Sequence, residues 1–410
     1  MFTFTNHISL LQKPERLAIK LSANGEFSVI KEHPWIFSKS IVKISKPGRT
    51  GDLCIVFSKN KNKVIGIGLF DPDSPIRIKM IHFGEGTTIN EAFFEAKVKQ
   101  AYHLRSELFT TDTNSYRLLF GENDGFPGLI ADVYNKVLVV KLYSKIWLPY
   151  LEMILKALIT TSQCEIVVIR LSRNLQSESN LGMQDGDIVY GELHDETVLF
   201  KEHGIQFSAN VIKGHKTGYF LDHRHNRKRV GELSKNKRVL DVFAYAGGFS
   251  VHALVNAAKE VTSLDISEHA LKLAQSNAAL NNYSGQHKII VDDAFKALKE
   301  LASDDQKYDI VVIDPPSFAK QQSEIQIAKK KYRQLAEMGQ KITANNGILI
   351  LASCSSRVLA EDFFNINYAE LKRSGRTFNC ILKTYHDIDH PIAFKEGAYL
   401  KCGYYQFFDN

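Results

Sequence analysis

Cysteine is scarce in this chain and never occurs at the short spacing typical of zinc sites. The sequence holds no CxxC motif, and its cysteines are scattered and odd in number: Cys54, Cys164, Cys354, Cys380 and Cys402. This usage argues against a zinc ribbon and against a disulfide scaffold. A reducing, cytoplasmic location fits it best.

Long hydrophobic runs and strong charge of either sign are also missing. No apolar stretch approaches the roughly 20 residues that cross a bilayer, so we expect no membrane association. The first residues, MFTFTNHISLLQKPER, lack the basic start, apolar block and cleavage site of a signal peptide, and we expect none. A net charge of +7 over 410 residues permits a polyanionic partner such as RNA without requiring one. This length suits two or three globular domains.

One strand–turn–helix pattern organises the C-terminal half. Residues 238–250 read RVLDVFAYAGGFS, an apolar run with Asp241 near its end, then Gly247 and Gly248, and an apolar helical pattern afterwards. Glycines at such a turn let a ligand approach the backbone, and the helix start offers unpaired N–H groups. Many nucleotide-binding sheets begin this way, but an ordinary strand–turn–helix would have the same pattern.

Strands and helices alternate from this pattern to the end of the chain. The predicted strands cover residues 238–242, 260–265, 288–291, 308–313 and 347–353, and the clearest helices cover 268–280 and 324–342. Such alternation predicts an α/β fold with a mostly parallel, doubly wound sheet. Ligands of these sheets bind at the carboxyl ends of the strands.

Acidic residues mark four of these strand ends. They are Asp241, Asp265, the pair Asp292 and Asp293, and Asp314. An acid after the second strand can accept both hydroxyls of an adenosine ribose. Either member of the pair can accept a hydrogen bond from the adenine amino group. Aspartate is also a common N-cap residue, but four in succession are hard to explain as caps.

Two phosphate-binding signatures are absent from the sequence. The first turn lacks the GxGxxG of hydride-transferring Rossmann enzymes, and no GxxxxGK[ST] of a P-loop NTPase occurs. The cofactor is therefore expected to be an adenosine without a pyrophosphate. S-adenosylmethionine fits that description.

The N-terminal half reads as two smaller domains. Short β-rich runs fill residues 17–83, where Trp35 is either an exposed aromatic anchor or the plug of a small barrel. Residues 90–111 have helical spacing, and DG and PG turn dipeptides predict a hairpin within residues 116–133. A strand, a helix and a strand follow. We place the domains at residues 1–88, 89–195 and 196–410.

Two further segments carry polar chemistry. Residues 213–229, KGHKTGYFLDHRHNRKR, are dense in basic and aromatic side chains, which suits contact with a phosphate backbone and with bases. The alternative is a solvated basic loop. The motif HDIDH could supply metal ligands from His386, Asp387, Asp389 and His390. No further cluster supports a metal site, so none is expected.

Several segments together resemble known families. Residues 241–250, Asp265, Asp293 and the DPPSF motif resemble the cofactor and catalytic motifs of class I S-adenosylmethionine-dependent methyltransferases. Residues 17–83, with HPWIF, resemble a PUA domain, a small RNA-binding barrel. The chain from about residue 17 to residue 410 resembles the PUA-containing ribosomal RNA 5-methylcytosine methyltransferases. The matching segments are KEHPWIF, GENDGFPGLIADVY, KTGYFLDHR, DVFAYAGGFS, DPPSFAK, SCSS, DHPIAF and EGAYLK.

The resemblance implies a PUA-like β-barrel, a small α+β linker domain and a Rossmann-like methyltransferase domain. It also implies methylation of cytosine C5 in large-subunit (23S) ribosomal RNA. Cys354, in GILILASCSSR, would be the nucleophile that adds to C6 of the base. The alternative for a lone cysteine is a small buried hydrophobe. Asp314 would hold or protonate the N3 edge of the base.

Other activities stay open at this point. Methyltransferases acting on guanine N2 or adenine N6 also place an aromatic, here Phe318, after an Asp-Pro-Pro loop, but they need no cysteine. The 5-methyluridine enzymes use a cysteine after the same strand. The two-cysteine RNA enzymes carry a second cysteine where this chain has Ser317, so one cysteine would serve both addition and release. An RNA-binding module without catalysis is the remaining alternative, and Asp314 with Cys354 argues against it.

The resemblance further implies binding residues and partners. Those expected at the cofactor are Phe220, Asp222, Arg224, Phe243, Ala244, Tyr245, Gly247, Gly248, Asp265, Ile266, Asp292, Asp293 and Asp314. Those expected at the RNA are Pro315, Pro316, Phe318, Lys216, Arg227 and Trp35. The implied partner is 23S ribosomal RNA, naked or in an assembly intermediate, with no metal and no membrane. A homodimer stays an open alternative.

Overall fold

The chain forms two compact units, seen in a computed structural model that describes residues 13–60, 62–178 and 181–408. The first unit comprises the described residues of Met1–Phe200 with Ser208–Phe220 and Ile388–Lys395. The second comprises Lys201–Phe207, Leu221–Asp387 and the described residues of Glu396–Asn410. This division differs from the predicted boundaries after residues 88 and 195.

The first unit begins with a six-stranded sheet. Its elements are β1 (Arg16–Leu21), α1 (Ala23–Ile30), β2 (Trp35–Phe37), β3 (Ile41–Ile44), β4 (Leu53–Phe57), β5 (Val64–Phe70) and β6 (Ile76–Phe83). The strand order is β2-β6-β5-β4-β1-β3, and all neighbours are antiparallel except β1 and β4. The β-rich runs predicted for residues 17–83 are therefore confirmed as strands.

A five-stranded sheet with helices follows in the same unit. Its elements are α2 (Glu91–Leu104), β7 (Ser115–Phe120), β8 (Leu129–Tyr134), β9 (Val137–Leu142), α3 (Leu151–Ser162), β10 (Ile166–Leu171), α4 (Arg173–Gln176) and β11 (Ile188–Tyr190). The order is β11-β10-β9-β8-β7. The antiparallel pair β7–β8 confirms the predicted hairpin, and α3 connects the parallel strands β9 and β10.

A shared core explains why these two sheets form one unit. Ile67 and Leu69 of β5 and Ile81 of β6 belong to the same hydrophobic cluster as Phe94 of α2 and Trp147 before α3. Burial of such large apolar side chains stabilises by about 1.5–3 kcal/mol each. This cluster has members on both sides of residue 88, where the domain boundary stays a prediction.

A two-stranded hairpin comes next, formed by β12 (Thr197–Glu202) and β13 (Ile205–Asn210). The sequence VLFKEHGIQFSANV has strand character throughout, and the structure bends it at His203 and Gly204. Both residues have positive φ, at 50° and 80°, as a tight hairpin turn between antiparallel strands requires.

The second unit is a seven-stranded sheet flanked by helices. Its elements are α5 (Arg224–Leu233), β14 (Arg238–Val242), α6 (Gly248–Val255), β15 (Glu260–Asp265), α7 (Glu268–Ala279), β16 (Gln286–Val291), α8 (Ala294–Ser303), β17 (Tyr308–Ile313), α9 (Ile325–Ile342), β18 (Thr343–Ser353), α10 (Ala360–Arg373), β19 (Phe378–Thr384) and β20 (Lys401–Phe407). The strand order is β16-β15-β14-β17-β18-β20-β19.

Strands β14 to β18 are parallel, which confirms the predicted doubly wound sheet. The last two strands were not expected, and β20 runs antiparallel between β18 and β19. The strand order reverses between β14 and β17, so a crevice opens there at the carboxyl ends of the strands. Val242 and Ile313 end these two strands in register.

Candidate active site

The turn after β14 has an unusual backbone. Phe243 and Tyr245 have positive φ of 66° and 47°, and Gly247 follows at 74°. Such conformations cost of order 1–3 kcal/mol for residues other than glycine, and they cluster at ligand sites. The turn is held to the next strand because the N–H groups of Phe243 and Ala244 both donate to the Leu264 carbonyl, at 2.9 and 3.0 Å. The predicted cofactor turn is therefore rigid and strained.

Asp241 stabilises this turn through hydrogen bonds with the start of α6. It is 1 % exposed, and its Oδ2 accepts the Ser250 N–H at 3.0 Å and the Ser250 hydroxyl at 2.7 Å. Burial raises the pKa of Asp241 to about 7. This aspartate therefore fixes the first turn of α6 and has little surface for a ligand.

Asp265 ends β15 beside the same turn. Its Oδ2 accepts the Tyr245 N–H at 3.0 Å, and its Oδ1 accepts the Ser267 N–H at 2.9 Å. Each carboxylate oxygen can accept a second donor. The side chain is half-buried, and the neighbouring Ile266 is 72 % exposed. A half-buried acid beside an exposed apolar side chain fits a ribose and an adenine ring.

The pair after β16 is engaged with helix α8. Asp293 caps the helix, since its Oδ1 accepts the Lys296 N–H at 3.1 Å. Asp292 forms an ion pair with the Lys296 ammonium at 2.9 Å, and this hydrogen bond lowers the pKa of Asp292. Both roles are structural. Contact of either residue with an adenine amino group stays a prediction.

The loop after β17 carries the DPPSF motif. Asp314 is half-buried, and its N–H donates to the Val242 carbonyl at 3.3 Å, which joins the ends of β17 and β14. Pro315 is buried and Pro316 is exposed. Phe318 packs on Tyr332 with ring centroids 5.3 Å apart. Asp314 and Pro316 therefore keep accessible surface at this edge of the sheet.

Cys354 lies at the end of β18, the neighbouring strand. It is half-buried, and its Sγ lies 3.7 Å from the Pro315 carbonyl oxygen. Buried Cys54 and Cys402 have thiol pKa values raised by desolvation, as for small hydrophobes. Cys354 therefore joins the DPPSF loop at the site, as the sequence predicted from the strand order.

His223 is a site residue that sequence reasoning missed. Its Nε2 faces Asp314 Oδ1 at 3.3 Å. Its Nδ1 lies 3.1 Å from the amide nitrogen of Asn226, whose oxygen accepts the hydroxyls of Thr384 and Tyr404, at 2.7 and 2.9 Å. These hydroxyls fix the Asn226 amide so that it donates to Nδ1, and the proton of a neutral His223 is then on Nε2. The only signal in the sequence is adjacency to Asp222.

Three neighbours of His223 were predicted to bind ligands, and the structure shows the two arginines among them buried and paired with carboxylates. Arg224 was assigned to the cofactor, but it is fully buried and pairs with Asp387 at 3.1 Å. Arg227 was assigned to RNA, but it is 3 % exposed and pairs with buried Glu202 at 2.6 Å. Neither guanidinium has a surface for a ligand. Asp222, also buried, accepts the Tyr399 hydroxyl at 2.7 Å.

The remaining predicted residues lie in the first unit. Lys216 is exposed, and its ammonium lies 4.5 Å from the centroid of the Phe220 ring. Trp35 is half-buried, donates its indole N–H to Glu122 at 3.0 Å and packs against Phe394 at 5.1 Å. Exposed Lys216 and half-buried Phe220 therefore form a basic–aromatic pair, whereas Trp35 is engaged in contacts within its unit.

The HDIDH motif has structural roles. His386 Nε2 accepts the N–H groups of Tyr399 and Leu400, and buried Asp389 accepts the Arg117 N–H at 2.9 Å. Across the described residues, no group of three or more His, Cys, Asp or Glu side chains could hold a metal ion. In that same part of the chain, no helix is both long and apolar enough to span a membrane.

Comparisons with known families agree with this geometry. A family described as S-adenosylmethionine-dependent methyltransferase matches residues 117–383, and a PUA-like domain family matches residues 19–83. A "Ribosomal RNA large subunit methyltransferase" of Deinococcus radiodurans is 41 % identical over 95 % of this chain and 97 % of its own length. A "Ribosomal RNA large subunit methyltransferase I" of Aliivibrio fischeri is 32 % identical over 94 % of this chain and 98 % of its own.

Solved structures share the fold over nearly the whole chain. A candidate SAM-dependent methyltransferase from Streptococcus mutans superposes with a TM-score of 0.78 at 20 % identity, over 95 % of this chain and 99 % of its own. A candidate methyltransferase complexed with SAH also has a TM-score of 0.78 at 20 % identity, over 96 % and 100 % of the two chains. At this identity the likeness concerns the fold.

Proposed function

Since this chain belongs to the S-adenosylmethionine-dependent ribosomal RNA large subunit methyltransferases, we propose that it methylates C5 of a cytosine in large-subunit (23S) ribosomal RNA. The single observation that carries the choice of C5 is Cys354, a half-buried thiol beside the DPPSF loop. Methylation of an exocyclic amine has no use for a nucleophile at this position. Methylation at a pyrimidine C5 needs one, because that carbon is a poor nucleophile.

The proposed reaction has three covalent steps. The Cys354 thiolate adds to C6, and Asp314 gives a proton to N3, so the ring becomes an enamine-like nucleophile at C5. The bound cofactor supplies an electrophilic methyl group on its sulfonium, and C5 acquires it. A base then removes the C5 proton, the electron pair expels the thiolate from C6, and the N3 proton returns to Asp314. One cysteine serves both addition and release.

His223 is suited to hold Asp314 for this role. Asn226 fixes the His223 ring, and His223 Nε2 lies 3.3 Å from an Asp314 oxygen. The other carboxyl oxygen is then available for the edge of the base. Asp314 is half-buried, so a hydrogen bond to a base is stronger there than in open water.

The residues that would hold the cofactor lie around the strained turn. Asp265 offers one remaining acceptor on each oxygen for the ribose hydroxyls, and exposed Ile266 offers an apolar surface for adenine. Phe243 and Tyr245 present their backbone to the ligand through positive φ. This set fits an adenosine that carries no pyrophosphate.

RNA contact is proposed at three places, one in the second unit and two in the first. In the second unit, Pro316 and Phe318 border Asp314, where a target base would enter after leaving its stack. In the first unit, exposed Lys216 and half-buried Phe220 form a pair that suits a phosphate and a base. The PUA-like domain is the expected third contact.

The decisive experiment identifies the methylated nucleoside. Ribosomal RNA from cells that lack this gene is incubated with the protein and methyl-labelled S-adenosylmethionine, digested and analysed by mass spectrometry. Label is expected in 5-methylcytidine with wild-type protein and is expected to be lost with Cys354→Ala. Cys380→Ala is the matched control, since Cys380 is the other half-buried cysteine of the second unit, and it should keep activity.

Other results would redirect the proposal. Label in uridine, or in a guanosine that survives Cys354→Ala, would contradict the assignment to cytosine C5. Absence of label from naked RNA calls for the same assay on 50S assembly intermediates. Absence there too, with cofactor still bound, would contradict catalysis and favour an RNA-binding module.

A further inference from the structure

A lysine is buried beside the loop that carries Cys354. Lys401 is 3 % exposed, and among the residues that the structure describes no carboxylate lies within ion-pair distance of its ammonium. Burial of an uncompensated cation is costly, and lysine is almost never buried without a partner. The buried position of Lys401 therefore indicates a role beyond packing.

The strand register brings Lys401 to the nucleophile. Strand β20 pairs with β18 so that Lys401 lies opposite Ser353, the residue before Cys354. The Lys401 ammonium donates to the carbonyl oxygens of Ser355, Val358 (2.7 Å) and Tyr399 (3.1 Å). All three of its protons are used. Two of these acceptors belong to the turn that directly follows Cys354.

Lys401 and Tyr332 both interact electrostatically with the Cys354 thiol. Burial lowers the pKa of Lys401 to about 8, and its interaction with Cys354 acts in the opposite direction, so the amine is still charged at neutral pH. Burial raises the pKa of Tyr332, which keeps that phenol neutral. The Asp314 side chain lies at the neighbouring strand end. Lys401 therefore supplies positive charge where a thiolate would form.

We propose that Lys401 is a positioning residue that stabilises the thiolate of Cys354 by its buried charge, an inference that rests on the proposed nucleophilic role of this thiol. Its hydrogen bonds to the Ser355 and Val358 carbonyls hold the turn, and its charge lowers the cost of removing the thiol proton. A cation close to a cysteine is the common way in which proteins activate this side chain. The ammonium of Lys401 touches neither the substrate nor the cofactor in this role.

A purely structural role makes a different prediction. Carbonyl oxygens also accept hydrogen bonds from neutral donors, so Lys401→Gln can keep part of the turn while it loses the charge. Lys401→Arg keeps the charge and several donors. If the lysine only ties the turn together, the thiol pKa of Cys354 will not follow the charge at position 401.

The test measures the ionisation of Cys354 without RNA or cofactor. Folded wild-type protein, Lys401→Gln, Lys401→Arg and Lys401→Met are pulsed with iodoacetamide between pH 5.5 and 10, and the peptide carrying Cys354 is quantified by mass spectrometry. The pKa of Cys354 is expected to rise by about 1 unit in the Gln and Met variants, as for loss of a nearby opposite charge. The Cys354 pKa of the Lys401→Arg variant should stay near the wild-type value. The peptide carrying Cys380 serves as internal control in the same digest.

Two outcomes overturn the inference. One is an unchanged Cys354 pKa in a folded Lys401→Gln or Lys401→Met protein. The other needs no variant and so survives misfolding of the mutants: a wild-type Cys354 pKa at or above the ordinary value of about 8.5. Neither readout involves methyl transfer. Failure to find 5-methylcytidine on naked RNA and on assembly intermediates would refute the proposed function, whereas the effect of Lys401 on the Cys354 pKa is tested by the titration alone.

Discussion

Arg227→Met should destabilise the second unit without acting through RNA. The Arg227 guanidinium donates to both oxygens of Glu202, from Nε at 2.7 Å and from Nη2 at 2.6 Å. His252 Nε2 lies 2.9 Å from the same carboxylate, and Glu202 is completely buried. Substitution by methionine keeps much of the side-chain volume and removes the charge. The Glu202 carboxylate is then left in the interior with His252 alone.

The expected loss follows from this geometry. Removal of one partner of a buried ion pair costs about 3–5 kcal/mol, because the remaining charge stays desolvated. For a domain of about 200 residues this corresponds to a fall in melting temperature of about 10 °C. Lys228→Ala is the matched control, since Lys228 is exposed and its ion pair with Glu232 contributes about 1 kcal/mol at most.

The stability difference between Arg227→Met and wild type should also depend on pH in a defined direction. Although burial raises the pKa of Glu202, Arg227 and His252 together hold it well below its ordinary value. An acid with a lowered pKa stabilises the fold above its ordinary pKa and loses that contribution as the pH falls. Without Arg227, burial dominates and Glu202 takes up a proton. The gap between Arg227→Met and wild type should therefore be smaller at pH 5 than at pH 8.

Calorimetry of the full chain, with binding of ribosomal RNA measured on the same samples, checks the prediction. A melting temperature within about 2 °C of wild type, together with weakened RNA binding, would refute the reasoning. In that case Arg227 would contact RNA after all. Paired replacement of Glu202 and Arg227 by apolar residues should be less damaging than Arg227→Met alone.

Three further predictions concern the cofactor edge of the sheet. Asp265→Ala removes the acceptors proposed for two ribose hydroxyls, so cofactor affinity measured by calorimetric titration should fall at least about tenfold, and an unchanged affinity would contradict the site. Gly247→Ala should lower thermal stability more than Gly375→Ala: both have φ near 75°, but only at Gly247 does a Cβ come within 2.7 Å of Ala274 Cβ. Burial raises the pKa of Asp241 to about 7, so the folded state retains a proton that the unfolded chain releases, and stability should fall between about pH 4 and pH 7. Asp241→Asn should flatten this slope in urea titrations, and a parallel slope would count against the shift.

The parallel part of the second unit was predictable because its central strands β14, β15 and β17 are short apolar runs that are buried along most of their length. The five predicted strands agree with β14 to β18, although β18 begins four residues earlier, at Thr343 rather than residue 347. Their ends carry acids, and the topology brings those ends to one edge. Strand β19 has no acid at its end and lies at the edge of the sheet, where alternate residues of Phe378–Thr384 are exposed.

The charged side chains were less predictable, because a basic segment looks the same whether its charges are solvated or paired. Arg227 pairs with Glu202, which lies 25 residues earlier in a hairpin. Arg224 pairs with Asp387, which lies 163 residues later. Lys401 could have been suspected as a single lysine within the apolar run YLKCGYYQFF. Its nearness to Cys354 depends on an antiparallel pairing that periodicity does not reveal.

The segment Ile388–Lys395 sets the order in which this protein can mature during synthesis. It belongs to the first unit, where buried Asp389 accepts the Arg117 N–H at 2.9 Å and its carbonyl accepts Arg105 at 3.3 Å. The ribosome makes these partners more than 250 residues before Asp389, at separations of 272 and 284 residues. The first unit therefore waits for nearly the entire polypeptide to emerge before its interior closes. A nascent chain stalled ahead of residue 389 would lack both of these contacts and would therefore carry an unfinished first unit.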